Sequence, residues 1–282
     1  MKNVKYLIKE ARDNTNTNDK EAISNEWCIN NLNKSLRYIV ATLYNLNVRT
    51  KLLRKEERYS LPSFRNVVIN LPEDIYAKNA IISLRSEQYG ECPIFIDQIA
   101  DKSRSMRYGY VVQGDTILVT GSGNAFREFV LTYAAKVPNF GLPFASINSI
   151  IGNTIEINSS DDLNELCERF SVVDINGKIL AKNISFNQTG NELLTVGDIS
   201  QVSIGNIIVP GEYSTTHCPL PEELDVLFLT MLEAFIMARQ SSLDLTVNQA
   251  INQEYINTIS ELFSDNSVDV FVPAMLENSE WA

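Results

Sequence analysis

Val4, Leu7, Ile8 and Ala11 recur at i, i+3, i+4 and i+7, the spacing of one helix face. A polar, turn-forming stretch at 13–19 (DNTNTND) closes that helix. Ser24 or Asn25 can cap a second helix, which carries Ile29, Leu32, Leu36, Ile39 and Leu43. So narrow a stripe suits packing against other helices. Residues 51–58 (KLLRKEER) then end the helical region as a charged, solvated run. From Tyr59 the texture changes. Strands are predicted at 67–69, closed by a Leu71-Pro72 turn, and at 81–84. Further strands at 108–113 and 116–120 flank the two-residue turn Gly114-Asp115. A β-rich run follows at 126–137, and Pro138 stops it.

Residues 139–218 have the pattern of an inserted all-β unit. Short strands flank Gly152-Asn153 and, with the strongest hairpin signal in the chain, Asn176-Gly177. More strands are predicted at 196–199 and 207–209, and strands this short and regular suggest a small barrel or sandwich. A short helix is predicted at 161–170 (DDLNELCERF), with acids at its start where the dipole favours them. Pro221, Glu222 and Glu223 open a helix whose wide apolar face holds Leu224, Leu227, Phe228, Met231, Leu232 and Phe235. A second C-terminal helix carries Val247, Ile251, Tyr255, Ile259 and Leu262. The last stretch is apolar without a period, through Val270, Phe271, Val272, Pro273, Met275, Leu276 and Trp281. A segment of that kind docks on a partner and orders there.

The expected fold class is α+β. Helices from both ends form a bundle, a β region projects from it with an inserted small β-barrel or sandwich, and an extended C-terminal tail follows. The expected segments are 1–58 and 219–265 for the bundle, 59–138 for the β region, 139–218 for the inserted unit and 266–282 for the tail. The residues expected to pack the bundle are Leu7, Trp27, Leu32, Leu36, Leu224, Phe228 and Phe235.

Composition narrows the function classes. Lys and Arg total 24 against 35 Asp and Glu, a net charge of -11. A sequence-reading nucleic-acid binder needs a basic face, which this balance disfavours. The four cysteines, Cys28, Cys92, Cys167 and Cys218, lie far apart and read as reduced thiols filling a core. With one histidine, His217, no metal-ligand spacing exists. No secretory signal opens the chain and no apolar run reaches the length of a membrane span, so no membrane partner is expected.

The chemical motifs are mostly negative. Gly121-Ser122-Gly123 lacks the third glycine of a dinucleotide loop and reads as a turn. No phosphate-binding loop and no nucleophile elbow occur. His217 has no Asp or Ser at a familiar spacing and reads as a loop residue. Asp161-Asp162 and Glu222-Glu223 are neighbours in sequence, and adjacent helical residues do not face one another. Residues 104–110 (RSMRYGY) interleave cations and aromatics, but a basic surface loop explains them. Neither an enzyme activity nor a cofactor is expected.

The run 4–13 (VKYLIKEARD), joined to Asn25-Glu26-Trp27 and 29–37 (INNLNKSLR), resembles the opening of the head-to-tail adaptor proteins of tailed bacteriophages. These form the ring under the portal in short-tailed, podovirus-like phages; the larger segment 139–218 leaves open a ring of a more elaborate tail, as in the large podovirus-like phages of gut bacteria. Three landmarks follow in family order: 68–74 (VINLPED), 127–133 (REFVLTY) and 220–224 (LPEEL). The segment 139–218 departs from the family as a larger, more strand-rich unit. The resemblance implies a structural virion protein in the neck or tail, assembled in the host cytoplasm. It implies a homo-oligomeric, dodecameric ring bound to the portal protein and to tail or further ring proteins. Phage DNA would pass through its channel without sequence-specific binding, and the acidic charge suits a wall along which DNA slides. In this family the tail residues Val270, Phe271, Val272, Pro273, Met275, Leu276 and Trp281 would dock on the portal or a neighbouring subunit. Two other readings remain at this level: a carbohydrate- or protein-binding module built on the β insertion, and a carboxylate-dependent cell-wall hydrolase whose acids meet only in the fold.

Overall fold

A computed structural model describes residues 2–17, 23–45, 53–60, 66–78, 80–86, 90–92, 109–120, 128–158, 168–220 and 222–240. The chain opens with α1 (Val4–Asn14), whose first turn is capped by the Asn3 side chain accepting from the Lys5 N–H. The second helix, α2 (Asn25–Asn45), starts where Ser24 Oγ accepts from the Trp27 N–H at 3.1 Å. A third, α3 (Asp225–Gln240), follows a 3-10 turn at Glu222–Leu224.

Between them lie fifteen strands among the described residues. The first sheet has the order β1-β7-β3-β4, built from β1 (Arg54–Ser60), β3 (Ile81–Ser86), β4 (Gly90–Glu91) and β7 (Glu128–Ala134). Strand β7 is central and lies antiparallel to β1 from Arg54↔Ala134 to Ser60↔Glu128. All its residues after Glu128 are buried, as a strand covered on both faces requires. The second sheet sets β2 (Asn66–Asn70) beside β6 (Thr116–Thr120), which forms a hairpin with β5 (Gly109–Gln113) across Gly114-Asp115.

The third unit is a closed six-stranded antiparallel barrel. Its strands are β9 (Ala145–Ile151), β10 (Thr154–Asn158), β11 (Arg169–Val173), β12 (Ile179–Thr189), β13 (Glu192–Val196) and β14 (Ile207–Pro210), in the order β10-β13-β12-β11-β14-β9. Closure leaves no unpaired strand edge. The barrel has its own core, centred on Ile147, Ile155, Phe170, Val172, Leu193 and Ile208. It joins the rest of the molecule through a two-stranded neck, in which β8 (Asn139–Phe140) and β15 (Ser214–Thr215) run parallel with Ser214 opposite Asn139 and Thr215 opposite Phe140.

The expected fold class is therefore corrected. Among the described residues the protein is mostly β, with 44% strand against 27% helix, several sheets and three helices. It is not a helical bundle built from the two ends. The reason lies in where the helices bury their faces. Leu7, Leu32, Leu36 and Phe228 share one continuous core with Ile69, Ile117, Val119, Phe129, Leu131 and Tyr133 from the two open sheets. The sheets thus form the body with the helices and do not project from them. A second correction concerns the charged run at 51–58. Arg54 to Arg58 is exposed as expected, but it is the edge strand β1 and not the end of a helical region. The second C-terminal helix, most of the segment read as a helix at 161–170, and the tail lie outside the described residues.

Candidate functional site

The seven residues expected to pack between helices fall in one place. Leu7, Leu32, Leu36, Leu224 and Phe228 are buried, and Trp27 and Phe235 are partly buried against the same core. Phe228 meets Phe140 of β8 edge-to-face at 5.0 Å, and the Arg239 guanidinium lies 5.0 Å from the Trp27 ring centre. The expected docking residues Val270, Phe271, Val272, Pro273, Met275, Leu276 and Trp281 lie outside the described residues. So do Gly121-Ser122-Gly123, Asp161-Asp162 and most of 104–110; Tyr110 is buried in β5.

His217 sits beside the neck. It bridges to Asn3, and its Nδ1 lies 3.0 Å from Thr216 Oγ1. Burial holds its imidazole below the ordinary value of 6.5. Gly177, at the tip of the β11–β12 hairpin, abuts it so closely that a Cβ there would lie 2.5 Å from His217 Nδ1. Thr215 Oγ1 donates to the Gly177 carbonyl at 2.6 Å. Next in the chain, the Cys218 thiol is pushed far up, first by burial. It stays protonated and is a poor nucleophile. Cys28 is raised for the same reason, and the described thiols Cys28, Cys92 and Cys218 are all buried. Asp225 is buried at the start of α3, where Oδ2 accepts from the Lys2 N–H at 2.8 Å while Oδ1 has no partner.

A second polar cluster was invisible in the sequence. Asp74 Oδ1 accepts from the Tyr133 hydroxyl at 2.8 Å, and Oδ2 pairs with the Lys55 ammonium. Burial alone would raise Asp74, but these two donors, with Lys182 nearby, bring it below 3.8. Burial and the Asp74 charge raise Tyr133 and Tyr213, while burial and Glu57 raise Tyr59. Lys182 on the barrel lies over the Tyr213 ring at 5.6 Å. The group therefore holds one ionised carboxylate among protonated tyrosines and cations. Its bonds tie the loop that carries Asp74 to β1 through Lys55 and to β7 through Tyr133. Among the described residues no group of three or more His, Cys, Asp or Glu is placed to hold a metal ion. No described helix is long and apolar enough to cross a membrane.

Two surface features remain. On the barrel wall, Ile151, Thr154 and Leu194 stand in register across β9, β10 and β13. Ile151 is 79% exposed, Leu194 51% and Val196, two residues on, 63%. Against α1 there is a recess of about 370 Å³ lined by Lys5, Lys9 and Arg12, with Ile8 and Leu142 as its apolar wall and Asp13 and Asn25 at its rim. No protein-family profile matches the chain, and no curated protein matches it.

Proposed function

We propose that the chain is a structural subunit of a virion, a head-to-tail adaptor that joins portal to tail as a ring around the DNA channel. The observation that carries this reading is the exposed apolar row Ile151, Leu194 and Val196 on a barrel that has no free strand edge. Isolated apolar side chains on a surface are ordinary, but a row of them on one wall of a closed unit suits cover by another protein. The ordered motifs at 4–13, 25–37, 68–74, 127–133 and 220–224 supply the identity of that partner, and the acidic charge suits a channel wall. The helical bundle of the family has no part in this support. The partners are the portal protein, neighbouring copies and further tail proteins, and the place is the virion neck.

Mixing purified protein with portal and measuring particle mass tests it. A complex with many copies of this chain, seen as a ring in negative stain, is the expected result. A chain that stays monomeric with portal and with every neighbouring tail protein overturns it.

A further inference from the structure

The outer wall of the barrel carries charge as well as apolar surface. One row across β9, β10 and β13 holds Ile151, Thr154 and Leu194, and the next holds Ser149, Glu156 and Glu192. The two rows lie roughly 7 Å apart, two residues along the strands. Glu156 and Glu192 stand directly opposite one another, and both are exposed. Like charges so placed destabilise a strand pair. The strands β9, β10 and β13 have no Lys or Arg, and neither carboxylate is held in an ion pair among the described residues. The wall is therefore an apolar row bordered by two carboxylates that repel each other. A partner suited to cover it brings cations beside an apolar surface.

The recess on α1 has that chemistry. Lys5 and Lys9 are exposed and stand one helical turn apart. Neither ammonium is held in an ion pair among the described residues. The buried Arg12 adds a third charge, and Asp13 is the one acid in the lining. Ile8 and Leu142 form the apolar wall, and the lysine stems extend it. The spacing matches too. Lys5 and Lys9 are separated by roughly 6 Å along the helix axis, and directly opposed residues of an antiparallel pair by about 4.5–5.5 Å between Cβ atoms. Within one chain the two surfaces do not cover each other, since Ile151, Leu194, Lys5 and Lys9 are all exposed. Because the two surfaces differ, a contact between copies is head-to-tail, repeats from copy to copy, and closes as a ring where the rotation allows. Closure gives every copy two such contacts, so weak pairs add up.

We infer that the β9–β10–β13 wall of one copy docks on the Lys5–Lys9 recess of the next, with Glu156 and Glu192 facing the two lysines and the apolar row against Ile8 and Leu142. This rests on the adaptor reading, for which it names the copy-to-copy surfaces. The test couples carboxylates to amines with a zero-length carbodiimide on the full chain. Unlabelled and ¹⁵N-labelled protein are mixed equally while dilute, then concentrated, alone and with portal. Linked peptides are read by mass spectrometry, and the Lys2–Glu10 pair at 2.8 Å serves as internal control. The expected links join Lys5 or Lys9 to Glu156 or Glu192, with mixed isotopes among them. Links of one isotope only would place both surfaces in the same chain and overturn the inference. Coupling of Lys2 to Glu10 without any of these links in either condition also overturns it. Charge reversal supplies a second readout. Lys5→Glu with Lys9→Glu, or Glu156→Lys with Glu192→Lys, should each lower the yield of multi-copy complex at least about tenfold, since like charges then face each other. An equal mixture of the two double variants should restore it, because each finds an opposite surface on the other. Yields that do not fall, or that fall and do not recover in the mixture, overturn the pairing. A ring on the portal without these links sinks the pairing and leaves the adaptor intact; links without affinity for portal do the reverse.

Discussion

At Gly177 the tip of the β11–β12 hairpin abuts His217 beside the neck. A φ of +80° there is open to glycine, and a Cβ would also run into His217. Gly152, in the β9–β10 turn, has a φ of +59° but nothing within 4 Å of where its Cβ would be. Gly152→Ala should therefore cost only the left-handed backbone penalty, about 1–2 kcal/mol. Gly177→Ala should cost more, on the order of 2–4 kcal/mol, because the imidazole must also move. Urea midpoints of the two variants measure the difference, and equal midpoints would mean that the contact with His217 carries no weight. His217 gives a second prediction. Its folded-state proton affinity lies below that of the unfolded chain, so the unfolded state takes up the proton first as pH falls. The stability that the neutral ring contributes is complete above pH 6.5 and is lost on acidification through the window between 6.5 and the lower folded value. His217→Gln should flatten the slope of Tm against pH between about 7 and 5. An unchanged slope would assign it to other groups.

Among the elements, α3 gives the shared core Leu227, Phe228, Leu229, Met231, Leu232 and Ile236. Phe228 is wholly buried and meets Phe140 at the neck. Phe228→Ala should cost about 3–5 kcal/mol in urea denaturation, whereas truncating the 63%-exposed Val226 on the opposite side should cost under about 0.5 kcal/mol. Which elements could be read from the sequence follows from what fixes each one. The stripe Ile29, Leu32, Leu36, Ile39 and Leu43 and the turn pairs Gly114-Asp115, Gly152-Asn153 and Asn176-Gly177 encode their structures locally, and a helix and three hairpins stand there. Strand β1 is different. Arg-Lys-Glu-Glu-Arg has no apolar alternation, and it is extended because its backbone pairs with β7, more than seventy residues away in sequence. The Asp74 cluster was hidden for the same reason, since residues 55, 74 and 133 meet only once β1 and β7 are paired and carry no spacing signal. The bundle failed as an expectation because an amphipathic stripe shows that a helix has a buried face and does not show what covers it.

The described residues form two cores, one shared by helices and open sheets and one inside the barrel. Assembly and folding can thus be separated. Leu194→Asp with Val196→Asp changes only the outer barrel wall and should leave circular dichroism and urea midpoint nearly unchanged. If the wall is covered in the virion, each lost side chain removes about 1.5–3 kcal/mol of burial. The double variant should then bind its neighbours at least a hundredfold more weakly, as read by native mass spectrometry with portal. Normal incorporation of the variant would leave that wall without a role in assembly.

The parallel direction of β8 and β15 has a mechanical outcome. In a hairpin stalk, pulling the attached unit away opens hydrogen bonds one at a time. Here the chain leaves for the barrel at the Phe140 end of the pair and comes back from it at the Ser214 end, because Asn139 lies beside Ser214 and Phe140 beside Thr215. Sliding the barrel along the pair in either direction slackens one connection only by stretching the other. Translation along that axis is opposed both ways, as a mast is held by two opposed guy lines.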